Sequence, residues 1–425
     1  MMPSRTGQLI SQDKRHLWHP FTPMRDWCAP DHEPLVLVSG QGVMLRDSEG
    51  REYIDGNSSI WTNIHGHNHP AINEAIRAQL DRVAHTSFLG FTNPPAIELA
   101  GELLKIAAPD VLTRVFYADD GATAIEVAIK LAILYFQLVG RPERTRFVAF
   151  ENAYHGDTLG AASLGGIGLF HDRFSRHHFP VEHVASVAGL EALPRPGTIA
   201  AVVIEPLIQG AAGIRTWPSG LLAALRRWCD SQGVLLIADE VMTGFGRTGK
   251  MFAFQHEDAV PDFVALAKGL TGGYVPLAAT LTTERIFEAF LGETFYYGHS
   301  YCGNQLGCVA ALASLRIFEE DNVLGALQPK ILHLTGLLEA MRGNPHIRDI
   351  RQCGFVAGIE VGGPGGEALE PSQSTGAKVC LAARRHGLLT RPVRDTVVLM
   401  PPLCISVQQL ETACRAIELA IADVF

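Results

Sequence analysis

The chain has 425 residues, of which 47% are hydrophobic and 19% are charged, so it is long enough for two or more globular units and too apolar to be disordered. Its formal net charge of −9 gives no support to binding of nucleic acid or of an anionic membrane. The first residues, MMPSRTGQLISQDKRH, lack the apolar core of a signal peptide, and no apolar run approaches the length of a bilayer span. We therefore expect a cytoplasmic protein.

Cysteine and histidine usage gives no indication of a metal centre. The eight cysteines show neither a CxxC motif nor zinc-ligand spacing, which favours reduced and mostly packed thiols. Residues 65–69 (HGHNH) place three histidines in one loop, but no Asp, Glu or Cys lies near them in the sequence. Motif matches without such context are mostly false, so we interpret this segment as a structural loop.

The first 64 residues alternate strand-like pieces, such as 35–38 (LVLV) and 43–46 (VMLR), with turns. From about residue 65 to 325, helical stretches alternate with short apolar runs, which predicts helices and buried strands. We predict strands at Val115–Ala118, Phe147–Phe150, Ala201–Glu205, Val234–Asp239, Phe263–Ala267 and Leu277–Leu281.

The remaining part, 326–425, begins with an amphipathic helix. It continues through mixed segments at 354–361 and 396–400 to a C-terminal helix at 407–423. The whole pattern predicts an α/β protein whose large domain, 65–325, has a mostly parallel sheet covered on both faces. We expect a smaller α+β domain assembled from both chain ends, 1–64 and 326–425.

A candidate phosphate site follows the first of these predicted strands. Asp119 and Asp120 precede Gly121, Ala122 and Thr123, where an apolar helical pattern begins. Gly121 allows the backbone to approach closely, and the N–H groups of the first helical turn favour an anion. A plain helix start with Asp caps would be the simpler interpretation of this segment alone.

Two charged residues end two successive buried strands. Asp239 follows the apolar run 234–238 (VLLIA), and Lys268 follows the run 263–267 (FVALA). Open α/β sheets bind ligands at the carboxyl edge of their strands, so both charges are expected in one site. A lysine in apolar surroundings has a lowered pKa and is a candidate Schiff-base nucleophile. A carboxylate beside it suits the pyridinium nitrogen of pyridoxal phosphate (PLP), so the pair predicts a PLP enzyme.

A glycine-rich segment nearby matches nucleotide-binding patterns without their context. Residues 244–250 (GFGRTGK) satisfy both GxGxxG and GxxxxGK, yet Met251 stands where a Walker loop needs Ser or Thr. A dinucleotide fold would need an acidic residue at the end of the next strand, where Lys268 stands instead. We interpret the segment as a glycine-rich loop beside the cofactor.

With these motifs in place, the chain resembles a class III (subgroup II) PLP-dependent aminotransferase of fold type I over nearly its whole length. The class-level motifs are 205–206 (EP), 209–210 (QG), 239–241 (DEV), 243–249 (TGFGRTG) and 267–269 (AKG). Within the class it is most similar to the 7,8-diaminononanoate synthases of biotin biosynthesis. The motifs shared with them are 18–22 (WHPFT), 58–61 (SSIW), 154–158 (YHGDT), 298–300 (GHS), 303–304 (GN) and 391–392 (RP).

The resemblance implies roles for individual residues around PLP. Lys268 would bind the cofactor and move the substrate proton, and Asp239 would pair with the pyridinium nitrogen. Tyr154 and Val241 would cover the two faces of the ring. The remaining cofactor residues would be Gly121 and Ala122, whose amides bind phosphate, together with His299 and Ser300. In the family a hydroxyl from the partner subunit reaches the phosphate, and Ser300 matches that position, so a homodimer with shared sites is expected.

The resemblance also implies the reaction, in which 8-amino-7-oxononanoate is converted to 7,8-diaminononanoate by ping-pong transamination. Arg391 would clamp the remote carboxylate of 8-amino-7-oxononanoate through a bidentate pair. The substrate-binding residues would be Phe21, Ile60, Tyr154, Lys268, Gly298 and Arg391. S-adenosylmethionine is the prevailing amino donor of the family and is the donor expected here.

Three departures from the family pattern affect the donor. The family usually has Tyr where Phe21 stands, Trp where Ile60 stands, and Pro-Thr where His299 and Ser300 stand. A sulfonium donor benefits from an aromatic wall and a phenolic hydroxyl, and some relatives use L-lysine instead. L-Lysine therefore stays open as the alternative donor.

Two further functions stay open at this point. One is another ω-aminotransferase acting on ornithine, 4-aminobutyrate or acetylornithine, which the motifs 18–20 (WHP) and 391–392 (RP) speak against. The other is a non-enzymatic regulator with a PLP-enzyme fold. A regulator would be expected to lack the lysine or to carry a DNA-binding segment, and the sequence shows neither.

Overall fold

The computed structural model describes residues 4–425. Within them the helices are α1 (Arg5–His16), α2 (Met24–Trp27), α3 (Ser58–Trp61), α4 (Pro70–Leu80), α5 (Pro94–Ala107), α6 (Gly121–Leu138), α7 (Leu159–Ser163), α8 (Gly168–His171), α9 (Val187–Glu191), α10 (Leu221–Gln232), α11 (Glu284–Ala289), α12 (Gln305–Glu320), α13 (Val323–Met341), α14 (Thr375–Ala383) and α15 (Val407–Val424). Of these, α3 is a single turn with left-handed backbone angles. Short 3₁₀ segments lie at Asp172–His177, Pro196–Thr198, Ala253–His256, Lys268–Thr271, Pro371–Gln373 and Arg384–His386.

The strands fall into three four- to seven-stranded sheets and one short ribbon. They are β1 (Leu37–Gln41), β2 (Met44–Asp47), β3 (Glu52–Asp55), β4 (Leu112–Ala118), β5 (Arg146–Phe150), β6 (Val181–Val184), β7 (Ile199–Ile204), β8 (Ile208–Gln209), β9 (Arg215–Thr216), β10 (Leu235–Asp239), β11 (Phe263–Leu266), β12 (Ala278–Thr283), β13 (Ile347–Cys353), β14 (Val356–Val361), β15 (Leu388–Leu389), β16 (Pro392–Val393) and β17 (Thr396–Leu399).

The central sheet has seven strands in the order β4-β12-β11-β10-β7-β5-β6. Every neighbouring pair is parallel except those made by β12, which lies antiparallel between β4 and β11. The prediction of an α/β fold with a mostly parallel sheet is confirmed, and the six predicted strands all exist with small shifts at their ends. Strand β6 was not predicted, because Glu182 and His183 interrupt the apolar pattern at the edge of the sheet.

The two ends of the chain meet in the smaller sheets. One sheet has the order β1-β2-β3-β15, so a strand from the C-terminal part completes an N-terminal sheet. The other has the order β13-β14-β17-β16 and belongs wholly to the C-terminal part. This pairing agrees with a small domain built from both ends. The boundaries 1–64, 65–325 and 326–425 stay a prediction.

Helix α6 corrects one expectation from the sequence. By length and composition alone it is apolar enough to cross a membrane, although no such run was expected. Its buried residues pack against strands of the central sheet, including β11 and β12. A helix that covers a parallel sheet is apolar on a wide face for this reason. Its N-terminus is fixed by a capping box between Asp120 and Thr123.

Arg144 ties the end of helix α10 to the start of strand β7. Its guanidinium is buried and donates to the carbonyl oxygens of Ile199 and Gln232, each at 2.7 Å.

We expect Arg144→Ala to lower the free energy of unfolding by about 2–3 kcal/mol, since both carbonyls lose a charged donor. The control is Arg141→Ala, because Arg141 pairs with Glu143 on the surface. Denaturant unfolding of both variants checks this, and equal losses would contradict it.

Candidate active site

The candidate site lies at the carboxyl edge of the central sheet, where β10 and β11 end side by side. Asp239 is the last residue of β10 and is opposite Ala265 in the parallel register, three residues before Lys268. Asp239 and Lys268 both line one cavity of about 1500 Å³. The cavity therefore contains the two charged groups that the sequence places at successive strand ends.

Lys268 is enclosed and held in an unusual backbone conformation. Burial lowers the pKa of its ammonium group, and the nearby carboxylates of Asp239 and Glu205 act in the opposite direction. Its φ is 45°, which is uncommon for a residue with a side chain, and its Nζ lies 4.8 Å from the ring centroid of Trp61. An amine with a lowered pKa is more readily deprotonated, and the neutral amine is the form that can attack a carbonyl carbon.

Asp239 is oriented by two donors. Its Oδ2 lies 2.7 Å from Nδ1 of His155, and its Oδ1 accepts from the backbone N–H of Val241 at 3.1 Å. His155 is buried, and its Nε2 has no hydrogen-bond partner in the part of the chain that the structure describes. In the sequence His155 is one residue of the 154–158 motif, and its contact with Asp239 was not predicted. Its position next to Tyr154 was the available signal.

Glu205 is a second buried carboxylate in the cavity whose role the sequence reasoning missed. It ends the predicted strand Ala201–Glu205, so a third charged residue at a strand end was the available signal. Its two oxygens accept from the backbone N–H groups of Tyr154 and Gly210, at 3.0 and 2.9 Å. Burial raises the pKa of Glu205 to about 7. Glu205 therefore connects two loops of the site through their backbones.

Tyr154 lies in the cavity on a loop that its own hydroxyl helps to fix. The hydroxyl donates to Oδ2 of Asp157 at 2.7 Å. Burial, followed by this hydrogen bond, raises the pKa of Tyr154 well above its ordinary value, so the hydroxyl keeps its proton. The Tyr154 side chain is thus a neutral aromatic surface near Asp239, as a ring-stacking residue requires.

The start of helix α6 forms a backbone cradle. The first helical hydrogen bond is donated by Ala124 to Asp120, so the amides of Gly121 and Ala122 precede it and are available to an anion. A Cβ at Gly121 would lie 2.7 Å from Cγ1 of Val241, so only glycine allows Val241 to pack this closely. Gly121, Ala122 and Val241 all line the cavity, and their contacts to a phosphate and a ring stay a prediction.

Three predicted substrate residues also line the cavity, and all three are exposed: Phe21, Ile60 and Arg391. Phe21 meets Phe170 edge to face, with ring centroids 5.6 Å apart. Among residues 4–425, the Arg391 guanidinium has no hydrogen bond or ion pair. The apolar wall and the unpaired cation together suit a long substrate with a negative charge at one end.

Gly298, His299 and Ser300 are the predicted site residues that do not line this cavity. His299 instead contacts Tyr297 through Nε2 at 3.0 Å and Asp119 through Nδ1 at 3.4 Å. Asp119 does line the cavity. Within one chain, the 298–300 segment therefore lies beside the site and outside it.

The residues that line the cavity fit PLP. They supply an amine without a hydrogen bond (Lys268), a carboxylate held by a histidine (Asp239) and an N-terminal helix cradle in which a Cβ at Gly121 would not fit. Val241, whose side chain contacts Gly121, provides an apolar surface between the cradle and Asp239. A phosphate, a pyridinium nitrogen and an aldehyde carbon each find a chemically matched group.

Comparison with known proteins gives the same result. Residues 28–421 match the family described as aminotransferase class-III. The adenosylmethionine-8-amino-7-oxononanoate aminotransferase of Nitratidesulfovibrio vulgaris is 48% identical, and the alignment covers 99% of this chain and 83% of the relative. The crystal structure of the enzyme of that name from Methanocaldococcus jannaschii has a TM-score of 0.95 and 39% identity, with 98% and 99% of the two chains covered.

A further solved structure shows the cofactor in a protein of the same fold. An amine transaminase from an uncultivated Pseudomonas species, solved with PLP bound, has a TM-score of 0.91 and 32% identity, with 96% and 99% of the two chains covered. The expectations of fold type I, of PLP as cofactor and of transaminase chemistry are confirmed. The chain belongs to the class-III aminotransferase family and is a PLP-dependent aminotransferase.

Proposed function

We propose that the enzyme transfers an amino group to 8-amino-7-oxononanoate and forms 7,8-diaminononanoate, a step of biotin biosynthesis. The observation that carries this proposal is one cavity that holds Lys268, Asp239 and the unpaired Arg391. Full-length relatives with 43–48% identity bear the name of this reaction. A remote carboxylate on a long aliphatic acceptor matches an unpaired guanidinium beyond an apolar wall.

Each residue has a defined task in this reaction. When bound, PLP supplies an electron sink for the substrate carbon that loses its proton. The Lys268 amine, whose pKa is lowered by burial, would take up and return the substrate proton. Asp239, oriented by His155, would pair with the pyridinium nitrogen. The amides of Gly121 and Ala122 would hold the phosphate.

We propose that a homodimer is the functional unit and that Ser300 binds the phosphate held by the partner subunit. Gly298, His299 and Ser300 lie beside the cavity of their own chain and do not line it. The side chains of Tyr296 and Tyr301, on either side of the 298–300 segment, are 90% and 59% exposed. Exposed aromatic side chains of this kind are typical of protein interfaces.

The expected location of the enzyme is the cytoplasm. All eight cysteines are free, and six of them are not exposed. Free thiols in a chain of this size are typical of a reducing compartment.

We propose S-adenosylmethionine as the amino donor, which is the donor that the names of the relatives contain. L-Lysine is the second candidate, because Phe21 lacks a hydroxyl and Ile60 lacks an aromatic face, and both line the cavity. A flexible lysine needs less aromatic wall than a sulfonium does. A parallel screen with S-adenosylmethionine, lysine, glutamate and ornithine separates these donors and also tests the other ω-aminotransferase activities.

The proposed function is first tested at Lys268. We expect the purified protein to show the visible absorbance of bound PLP and to convert 8-amino-7-oxononanoate. Lys268→Ala should abolish turnover, because no other amine lines the cavity of the described chain. The control is Lys105→Ala, since Lys105 lies on the surface of α5 and pairs with Glu102. Unimpaired turnover in Lys268→Ala would overturn the assignment.

A second test concerns the acceptor carboxylate. We expect Arg391→Ala to raise the KM for 8-amino-7-oxononanoate by about ten- to hundredfold, as the loss of a charge-assisted hydrogen-bond pair predicts. The KM for the amino donor should change far less. Arg385→Ala is the control, because Arg385 pairs with Asp423 and does not line the cavity. Equal effects on both substrates would show that Arg391 does not distinguish them.

A third test concerns the donor. We expect the double variant Phe21→Tyr with Ile60→Trp to improve kcat/KM for S-adenosylmethionine relative to lysine by about 1–2 kcal/mol, if one cation–π contact forms. The matched control is Ile60→Leu, which changes the branching of the side chain and adds no aromatic face. Steady-state kinetics with both donors in all three proteins provide the ratio. An unchanged ratio would mean that these two positions do not set donor choice.

A further inference from the structure

Arg394 lines the same cavity as Arg391 and has an unfavourable backbone conformation. It lies in the turn between β16 and β17, its side chain is exposed, and its φ is 53°. Residues with a side chain pay a steric penalty in this left-handed region, where glycine would be unstrained. Strain of this kind persists where the surrounding structure enforces it, and it is concentrated at functional sites.

The turn is held in place by helix α14. The backbone N–H of Gly376 donates to Oδ1 of Asp395 at 2.9 Å. A Cβ at Gly376 would lie 2.4 Å from the carbonyl oxygen of Arg394, so the helix and the turn are in close contact. The carboxylate next to Arg394 is therefore engaged by α14, and the turn cannot relax by moving away from it.

The Arg394 guanidinium has no partner within residues 4–425, neither a hydrogen bond nor an ion pair nor a ring contact. The buried carboxylates of the cavity are already engaged, since Asp239 accepts from His155 and Glu205 from two backbone amides. Asp157 likewise accepts from the Tyr154 hydroxyl. The cation at position 394 is thus available to a ligand.

Arg391 and Arg394 flank the short strand β16. Three residues of extended chain span at most about 10 Å, so the two guanidinium groups can reach a common carboxylate with their long side chains. Arg391 is also without a hydrogen bond or ion pair in the described chain. Two unpaired guanidinium groups on one wall of a cavity repel each other unless an anion lies between them.

We infer that Arg394 is a second carboxylate-binding residue of the substrate pocket, which acts with Arg391 on the remote carboxylate of the acceptor. This inference rests on the proposed function. The strained turn places the cation at the cavity wall, and the bound carboxylate neutralises both guanidinium groups. Arg394 thereby favours substrates that carry an acid group far from the reacting carbon.

The test compares 8-amino-7-oxononanoate with its methyl ester in holoenzyme carrying Arg394→Gly. We expect the KM for the acid to rise about tenfold, because one charged donor is lost, while the KM for the ester and kcat stay near wild type. Arg394→Lys should recover part of the loss for the acid. An unchanged KM for the acid, or equal changes for acid and ester, would overturn the inference.

A matched variant separates the charge from the backbone effect. Arg195 also has a φ of 53° and an exposed side chain, but it does not line the cavity. Replacement by glycine removes left-handed strain at either position, so both glycine variants should gain in Tm by a similar small amount, on the order of 1 °C. Arg195→Gly should leave the KM for the acid unchanged. An equal rise in KM in both variants would also overturn the inference.

Calorimetric binding of the acid to wild type and to Arg394→Gly distinguishes this inference from the proposed function. One outcome is that wild type does not turn over the acid but binds it about tenfold more tightly than the variant does. The proposed function is then wrong, and the role of Arg394 in carboxylate binding is supported. The other outcome is that wild type turns over the acid and both proteins bind it equally. The proposed function is then supported, and the role of Arg394 in carboxylate binding is wrong.

Discussion

The half-buried Lys268 amine is the constraint around which the active site is arranged. Burial alone would make its charged form costly, and two carboxylates, Asp239 and Glu205, offset that cost. Each carboxylate must in turn be held, because an unpaired buried charge costs several kcal/mol. His155 holds Asp239, and the backbone amides of Tyr154 and Gly210 hold Glu205. The loops of Tyr154 and Gly210 are therefore fixed at the cavity by the carboxylate of Glu205.

The parts of the site that lie at strand ends could be predicted from the sequence. Asp239 and Lys268 each end an apolar run, and buried parallel strands present their last residues at one edge of the sheet. Gly121 and Ala122 could be predicted for a similar reason, because a strand leads directly into the apolar helix that they begin. The alternation of strands and helices was sufficient for the α/β fold, although the polar edge strand β6 has no such pattern.

Other features depend on contacts between distant segments and leave no local pattern. Glu205 and Asp239 come together only because β7 and β10 are neighbours in the sheet, an order that propensity does not encode. The left-handed turn α3 is another case, since Ile60 is β-branched and has a φ of 69°. Ser58 donates to the carbonyl of Met400, so a contact across the whole chain helps to enforce this turn.

Several residues with left-handed backbone angles lie at the cavity. Phe21, Ile60, Trp61, Lys268 and Arg394 all have positive φ and all line the cavity. Such conformations are stable only when the rest of the structure determines them, so the cavity wall is shaped by the completed fold. The wall also comes from three separate parts of the chain. Asp239 and Lys268 lie in the central part of the chain, while Phe21, Ile60 and Arg391 lie in the two chain ends.

The buried contacts of the site and the exposed residues of the cavity wall come from different parts of the chain. The contacts that hold Asp239, Glu205 and the helix cradle lie within the central part of the chain, so substitutions in the two ends leave them intact. Phe21, Ile60 and Arg394 are exposed and line the cavity, so a substitution there changes the cavity wall and does not disturb the core. The part of the cavity wall that the chain ends supply can therefore vary while the hydrogen bonds of the buried carboxylates persist, because the two sets of contacts lie in different parts of the chain.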